Sequence, residues 1–327
     1  MRLVLAASLA VVLSGCGTAS GLAGRDQLTP AARPGVDGGS AGAGDPGVKK
    51  PGTGKPAANE SGTGESGTNE SGAREPAPDA PIPANPAKLA ADLEAATTAL
   101  YRGIDAWTRS KAAQPPQDVV LYALHHQRIY RTLARNARLS AAVIAKLPKP
   151  IAAEARDNVK AVGKLLSMAR PISDARRKKM RLAEAEPAAR LRGHMVKAEK
   201  RFGVEWEVLA AIMLVETKFG RVRSASSTGA QGPMQFMPGT WKAYGMGGDV
   251  QDAGDAIMAA ANYLKATGAP RNYRRAVFAY NHDVRYVDAV LAHAAQIKRD
   301  PRSYYAYYNW QVFVLSKKGD VRLTGPR

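Results

Sequence analysis

Leu209-Ala210-Ala211-Ile212-Met213-Leu214-Val215-Glu216-Thr217-Lys218-Phe219-Gly220 is the stretch that decides the fold. Trp206, Leu209, Met213 and Glu216 follow one another at i, i+3, i+7 and i+10, which predicts a helix with the acid on the face of the core residues. Gly220 offers the helix stop. A carboxyl placed this way is partly desolvated, which favours its neutral form and raises its pKa. A general acid working near neutral pH needs that shift. The same Glu also reads as a solvated boundary residue at the end of an amphipathic helix. The segment that follows, Gly229–Pro238, is dense in Gly, Pro, Met and Gln and permits close backbone approach, as where a ligand lies against main chain. A purely structural loop can be Gly-rich too.

Three motifs in order bear on this choice. Val215-Glu216-Thr217-Lys218-Phe219-Gly220, Gly229-Ala230-Gln231-Gly232-Pro233-Met234-Gln235-Phe236-Met237-Pro238 and Ala279-Tyr280-Asn281 together resemble the lytic transglycosylase (SLT, goose-lysozyme-like) domain. Each motif alone is weak; in order, over roughly a third of the chain, they are specific. The V-E-T-x-aromatic-G and Q-F-M-P forms look most like the membrane-bound transglycosylase B type, whereas the short spacing from Glu to the Gly loop is closer to the soluble type.

The resemblance implies a mainly α, lysozyme-like domain with its cleft between helices. It implies cleavage of the MurNAc-GlcNAc β-1,4 bond of bacterial peptidoglycan without water, leaving 1,6-anhydromuramoyl ends. Glu216 would protonate the glycosidic oxygen and then, as carboxylate, take the proton of the muramoyl 6-hydroxyl. By the same resemblance Gln235 and Met237 contact the sugar beside the acid. Phe236, Gly232, Tyr280 and Asn281 complete the substrate-binding set, Tyr280 orienting Glu216 and Asn281 supporting it. The alternative for Tyr280 is a core tyrosine with a satisfied hydroxyl. Where the family often has Glu-Ser, this chain has Glu216-Thr217, which keeps the hydroxyl. Glycoside cleavage usually employs two carboxylates. The motif supplies one, and Asp252 and Asp255 are better explained as acids in the first turn of a helix. A hydrolytic muramidase on the same fold is the nearest rival, and a non-catalytic wall-binding or scaffold lipoprotein is a third reading. The intact set of Glu216, Gln235 and Tyr280 argues against the last.

Residues 1–15 combine Arg2, the apolar run Leu3–Leu13 and Ser14-Gly15, a pattern with the length of a secretory signal. Leu13-Ser14-Gly15-Cys16 resembles the bacterial lipobox, which implies lipidation of Cys16 and an anchor at the outer face of the cell membrane; an ordinary signal peptide with an incidental Cys is the alternative. Cys16 is the one cysteine, so no intramolecular disulfide forms and thiolate chemistry is disfavoured. Residues 16–87 are rich in Gly, Ala, Pro, Ser and Thr and contain the repeat Glu60–Gly64, Glu65–Asn69, Glu70–Arg74. Such a composition cannot offset its ordering entropy, so this segment reads as a disordered tether with a reach of roughly 45–50 Å.

The whole chain has a formal charge of +19; Arg2 contributes +1 and residues 17–87 carry −2, so residues 88–327 hold +20. Charge of this sign attracts polyanions. No helix-turn-helix, RNP or zinc-finger pattern accompanies it, which points away from nucleic acid and towards anionic wall polymers or membrane surface. A merely Arg/Ala-rich composition explains the charge as well.

Residues 88–191 read as an all-α accessory region. Apolar stripes are carried by Leu89–Trp107 and Val120–Leu133, Asp118 and Ser140 read as caps, and Pro148 and Pro150 as breaks. His125 and His126 lack the spaced partners of a metal site, and no metal or cofactor is expected. The catalytic domain spans 192–300, acting as a monomer. In the extension 301–327, two short apolar runs around Ser316-Lys317-Lys318-Gly319-Asp320 suggest a small β-hairpin. Tyr304, Tyr305, Tyr307, Tyr308 and Trp310 either close a small core or stack on sugar rings.

Overall fold

Asn85 begins the helical part of the chain: its side-chain oxygen accepts from the backbone N–H of Ala87 at 3.0 Å and Lys88 at 3.1 Å. Pro86 sits in the first turn of α1 (Pro86–Ser110), where its missing N–H costs nothing. The structure, a computed structural model, describes residues 75–326. The signal segment, Cys16 and the five-residue repeat lie outside the described residues. The end of the Pro-rich stretch lies inside them: Arg128 donates to the carbonyls of Ala80 at 2.7 Å and Asp79 at 3.3 Å, and Ile82 packs on the core.

α2 (Gln117–Leu133) is followed by α3 (Ala137–Ile144) and α4 (Lys149–Met168). Asn136 caps α3, Asp118 lies within the first turn of α2 and Ser140 is buried in α3, so two expected caps fall inside helices. The expected break lies between α3 and α4, with Pro148 at the N-cap and Pro150 in the first turn of α4. After α5 (Asp174–Lys178) come α6 (Ala188–Phe202), which ends at Gly203 with φ 71°, and α7 (Trp206–Thr217). Then follow α8 (Pro238–Tyr244), α9 (Ala253–Thr267), α10 (Tyr273–Tyr280), α11 (Val284–Arg299) and α12 (Arg302–Tyr308). The expected hairpin is present: β1 (Val312–Ser316) pairs antiparallel with β2 (Gly319–Leu323), Val314 opposite Val321. The molecule is mainly α with this one small sheet among the described residues.

α7 is the centre. Each of its residues except Glu207 is buried, so it has no solvent face. α11 packs along α7 on one side and α4 on the other, so helices from both the 88–191 and 192–300 regions share one core. α12 completes that core. The Tyr304 ring meets Trp206 and Phe219 edge-on at 5.5 Å, and Tyr308 lies 6.1 Å from Trp107 and 5.8 Å from Phe219. Tyr304, Tyr307 and Tyr308 are at most 1% exposed, and their hydroxyls donate to Ala188, Asn158 and Glu186. These rings form core and are not available to stack on sugar. His125 lies 2.9 Å from the Asp92 carboxylate and His126 3.2 Å from Glu154, so both histidines have structural partners.

A fragment of residues 192–300 leaves the α4-facing side of α11 and the α12-facing side of α7 uncovered. It is expected to show no cooperative thermal transition by circular dichroism, while residues 75–327 melt in one step; a cooperative melt of the fragment contradicts the shared core.

Candidate active site

At the end of α7 the chain reverses through three successive left-handed residues, Lys218 at φ 53°, Phe219 at 59° and Gly220 at 81°. For the two non-glycine residues that conformation is costly and persists only when surroundings fix it. Here the Thr217 hydroxyl accepts from Gly220 N–H at 2.9 Å and donates to the Pro233 carbonyl at 2.6 Å, while Phe219 is buried in the core. Both hydrogen-bonding capacities of that hydroxyl are used, which explains how Thr serves where Ser is common.

Glu216 is 0% exposed. The Tyr286 hydroxyl donates to its Oε1 at 2.6 Å, and its Oε2 has no protein partner. Burial pushes the carboxyl up to about 8, partly offset by the Tyr286 hydrogen bond and the Lys218 ammonium. At neutral pH it is therefore predominantly protonated. The acid lies deeper than an amphipathic-helix boundary, because α11 closes the side that would face solvent.

The expected role of Tyr280 falls to another residue. Tyr280 donates to the Met234 carbonyl at 2.6 Å, and the hydroxyl on Glu216 belongs to Tyr286. Sequence reasoning missed Tyr286, although a signal exists. Tyr286, Val290, His293 and Ile297 form the buried stripe of α11, and a buried tyrosine hydroxyl needs an acceptor.

The loop Gly229–Pro238 is closed by a two-way bridge, Gln231 N–H to the Phe236 carbonyl at 2.9 Å and Phe236 N–H to that of Gln231 at 2.8 Å. Gly232 has φ 74°, and a Cβ there would stand 1.9 Å from the Val250 carbonyl oxygen. The close approach this glycine allows is thus to the protein's own backbone. Gln235 is buried, with φ 51°, and its side-chain amide donates to the Gly232 carbonyl at 2.9 Å. Gln235, Phe236, Met237 and Tyr280 come together with Thr240 and Tyr263 around a shallow pit. Phe236 meets Trp241 at 5.3 Å and Tyr280 at 5.9 Å. Asn281 is buried at the end of α10, its N–H donating to Val277. Glu216 is joined to this group through the bond from Thr217 to Pro233, while Gly232 faces Val250.

Nearby acids are committed elsewhere. Asp252 caps α9 by accepting from Asp255 N–H at 2.9 Å, Asp255 accepts from Asp249 N–H at 2.9 Å, and Asp249 accepts from Gln251 N–H at 2.8 Å. The charged or hydrogen-bonding groups that act on Glu216 are Tyr286 and Lys218, with no second carboxylate among them. No group of three or more metal-ligating side chains occurs among the described residues.

Residues 194–298 match the family model of the Transglycosylase SLT domain. The matched stretch, about a third of the chain, runs from α6 into α11 and contains Glu216, the Gly229–Pro238 loop, Tyr280 and Tyr286. No curated protein and no solved structure matches the chain. The SLT domain is of the lytic transglycosylase type, and its presence supports cleavage of peptidoglycan glycan as the activity.

The raised proton affinity of Glu216 has a cost in stability. An unfolded Glu releases its proton near 4.5 and the folded one near 8, so between these values the folded state holds a proton that the unfolded state has lost. Stability falls as pH rises through this window, by up to about 5 kcal/mol. Glu216→Gln removes the dependence. Its melting temperature is expected to exceed that of the wild type by a margin that widens from pH 5 to pH 8, read by differential scanning fluorimetry; a margin independent of pH contradicts the assignment.

Proposed function

We propose that this chain is a lytic transglycosylase that cleaves the MurNAc-GlcNAc β-1,4 bond non-hydrolytically, with Glu216 as acid and then base. The observation that carries this reading is a fully buried carboxyl, its Oε1 held by Tyr286 and its proton affinity raised by burial, within the matched SLT domain. Tyr286 occupies Oε1, so Oε2 is the oxygen that delivers the proton to the leaving glycosidic oxygen. Once ionised, the carboxylate is stabilised by the Tyr286 donor and the Lys218 charge, and it then accepts the proton of the muramoyl 6-hydroxyl. The substrate's N-acetyl group can act as the nucleophile that a two-carboxylate glycosidase supplies from protein.

Two features favour anhydro products over hydrolysis. A retaining or inverting hydrolase normally places a second carboxylate near the acid, and among the described residues none acts on Glu216. The acid is also shielded from water. A fully buried acid meets its substrate only after neighbouring chain shifts, a cost that binding energy from the rest of the glycan can offset. Gln235, Phe236, Met237, Tyr280 and Asn281 would hold the sugar beside the acid.

The V-E-T-K-F-G and Q-F-M-P forms support a likeness to the membrane-bound B type, and the short spacing from Glu to the Gly loop a likeness to the soluble type. We assign Cys16 as the lipidated residue, placing the protein in the cell envelope, tethered to the outer face of the membrane by residues 16–87. The catalytic domain would occupy 192–300, with an accessory helical region at 88–191. A monomer is expected, engaging glycan strands and, through its +20 charge, anionic wall polymers.

Mass spectrometry of muropeptides released from purified peptidoglycan tests the reaction. Products lighter by one water than hydrolytic ones, absent with Glu216→Gln, are expected; reducing-end products from the wild type would replace this mechanism with that of a muramidase. Tyr286→Phe removes a hydrogen bond that favours the ionised acid. The alkaline limb of its pH–rate profile should move upward by about one unit, with a lower rate; an unmoved limb separates Tyr286 from the acid.

A further inference from the structure

Beyond the left-handed turn that ends α7, residues 221–223 run alongside residues 181–183. Arg223 N–H donates to the Arg181 carbonyl at 3.0 Å and Ala183 N–H to the Arg221 carbonyl at 2.9 Å, which sets Leu182 opposite Val222. Leu182 and Val222 are buried in a small apolar cluster with Ile172 and Val314. Side chains alternate along extended chain, so Arg181 and Arg223 stand opposite each other on the outer face, their Cβ atoms about 5 Å apart. Like charges placed directly opposite are destabilising.

No acid pairs with either arginine among the described residues. Asp174 is taken by Arg177 at 3.0 Å, Glu186 lies 3.9 Å from Arg190, and Glu184 acts on Arg221. Arg221 is itself committed: it donates to the Lys218 carbonyl at 3.1 Å and lies 4.7 Å over the Tyr308 ring. Arg181 is exposed and Arg223 half-buried, so two guanidinium forks are held side by side with their donors open to solvent. Such forks match carboxylates bidentately.

The position of the pair narrows the choice of anion. Arg181 N–H donates to Ser224 Oγ at 2.7 Å, Ser226 N–H to the Ala230 carbonyl at 2.9 Å, and the Thr228 hydroxyl reaches Met237 Sδ at 4.0 Å. Met237 lines the pit expected to hold the sugar. The ladder thus runs straight into the loop beside the glycan, and the anions met there are those the glycan carries. We propose that Arg181 and Arg223 bind free carboxylates of the peptidoglycan stem peptide, so that the protein prefers peptide-bearing strands to bare ones. The peptide hangs from the lactyl ether of MurNAc, and about four residues of extended chain reach roughly 13 Å from the sugar. The inference rests on peptidoglycan as the substrate and not on the chemistry at Glu216.

The test sediments the full chain carrying Glu216→Gln with purified sacculi freed of phosphodiester polymers by hydrofluoric acid, one batch stripped of its peptides by an amidase. Binding to the peptide-bearing batch is expected to be about tenfold tighter. Adding Arg181→Gln together with Arg223→Gln should bring it down to the peptide-free level, and either change alone should lower the preference about threefold. Circular dichroism melts establish that each variant is folded. Equal binding of the two batches, a full preference in the folded double variant, or a preference seen only before acid treatment overturns the proposal, the last in favour of a phosphate polymer. Site and reaction fail separately. A preference without muropeptide release by the wild type supports the arginine pair and removes the transglycosylase; release without the preference does the reverse.

Discussion

The structure depends on one constraint, a carboxyl group carried into a helix with almost no solvent face. Desolvating an ionised carboxylate costs several kcal/mol, and the protein meets that by keeping Glu216 protonated. The rest of the site follows. α11 must cross α7 where its first-turn tyrosine can reach the acid, and Asp283 fixes that start by accepting from Arg285 N–H at 2.8 Å. The chain must also leave α7 at once, which the left-handed run Lys218–Gly220 achieves. Thr217 then ties that turn to the Pro233 carbonyl, so that the acid and the Gly229–Pro238 loop are held by the same residue.

Much of this was legible in the sequence where the cause is local. The apolar period of α7, the helix start at Asp252 and the hairpin around Gly319 each follow from a few adjacent residues, whereas α7 stops at Lys218, itself left-handed at φ 53°, two residues before the expected Gly220. What sequence reasoning did not reach has a tertiary cause. The desolvation expected of Glu216 from its place on the core face is found, but it is complete only because α11 and α12, supplied from far along the chain, cover the helix end. Tyr280 and Tyr286 are separated by six positions on two helices, and only their packing decides which hydroxyl meets Glu216 and which meets Met234. Gly232 was readable as a position needing space, but the group that fills the space, the Val250 carbonyl, lies eighteen residues away.

The aromatic tail shows the same limit from the other direction. Its composition suits either a core or a sugar platform, and the three hydroxyls that find Ala188, Asn158 and Glu186 decide for core. The segment after the last catalytic-type motif is thus part of what keeps α7 dry. A carboxyl this strongly perturbed would relax toward its ordinary proton affinity if those rings were removed and water entered beside Phe219.

The docking of the N-terminal segment onto α2 has a mechanical consequence. A pull arriving along that segment first loads the two bonds from Arg128 to the Asp79 and Ala80 carbonyls, then the Asn85 cap, and only then α1. These contacts lie in series along the chain and yield one at a time. The first ångströms of extension are therefore absorbed by peeling at the edge of the fold, while Glu216, far along the chain in a core joined by several helices, keeps its geometry until α1 itself begins to come away.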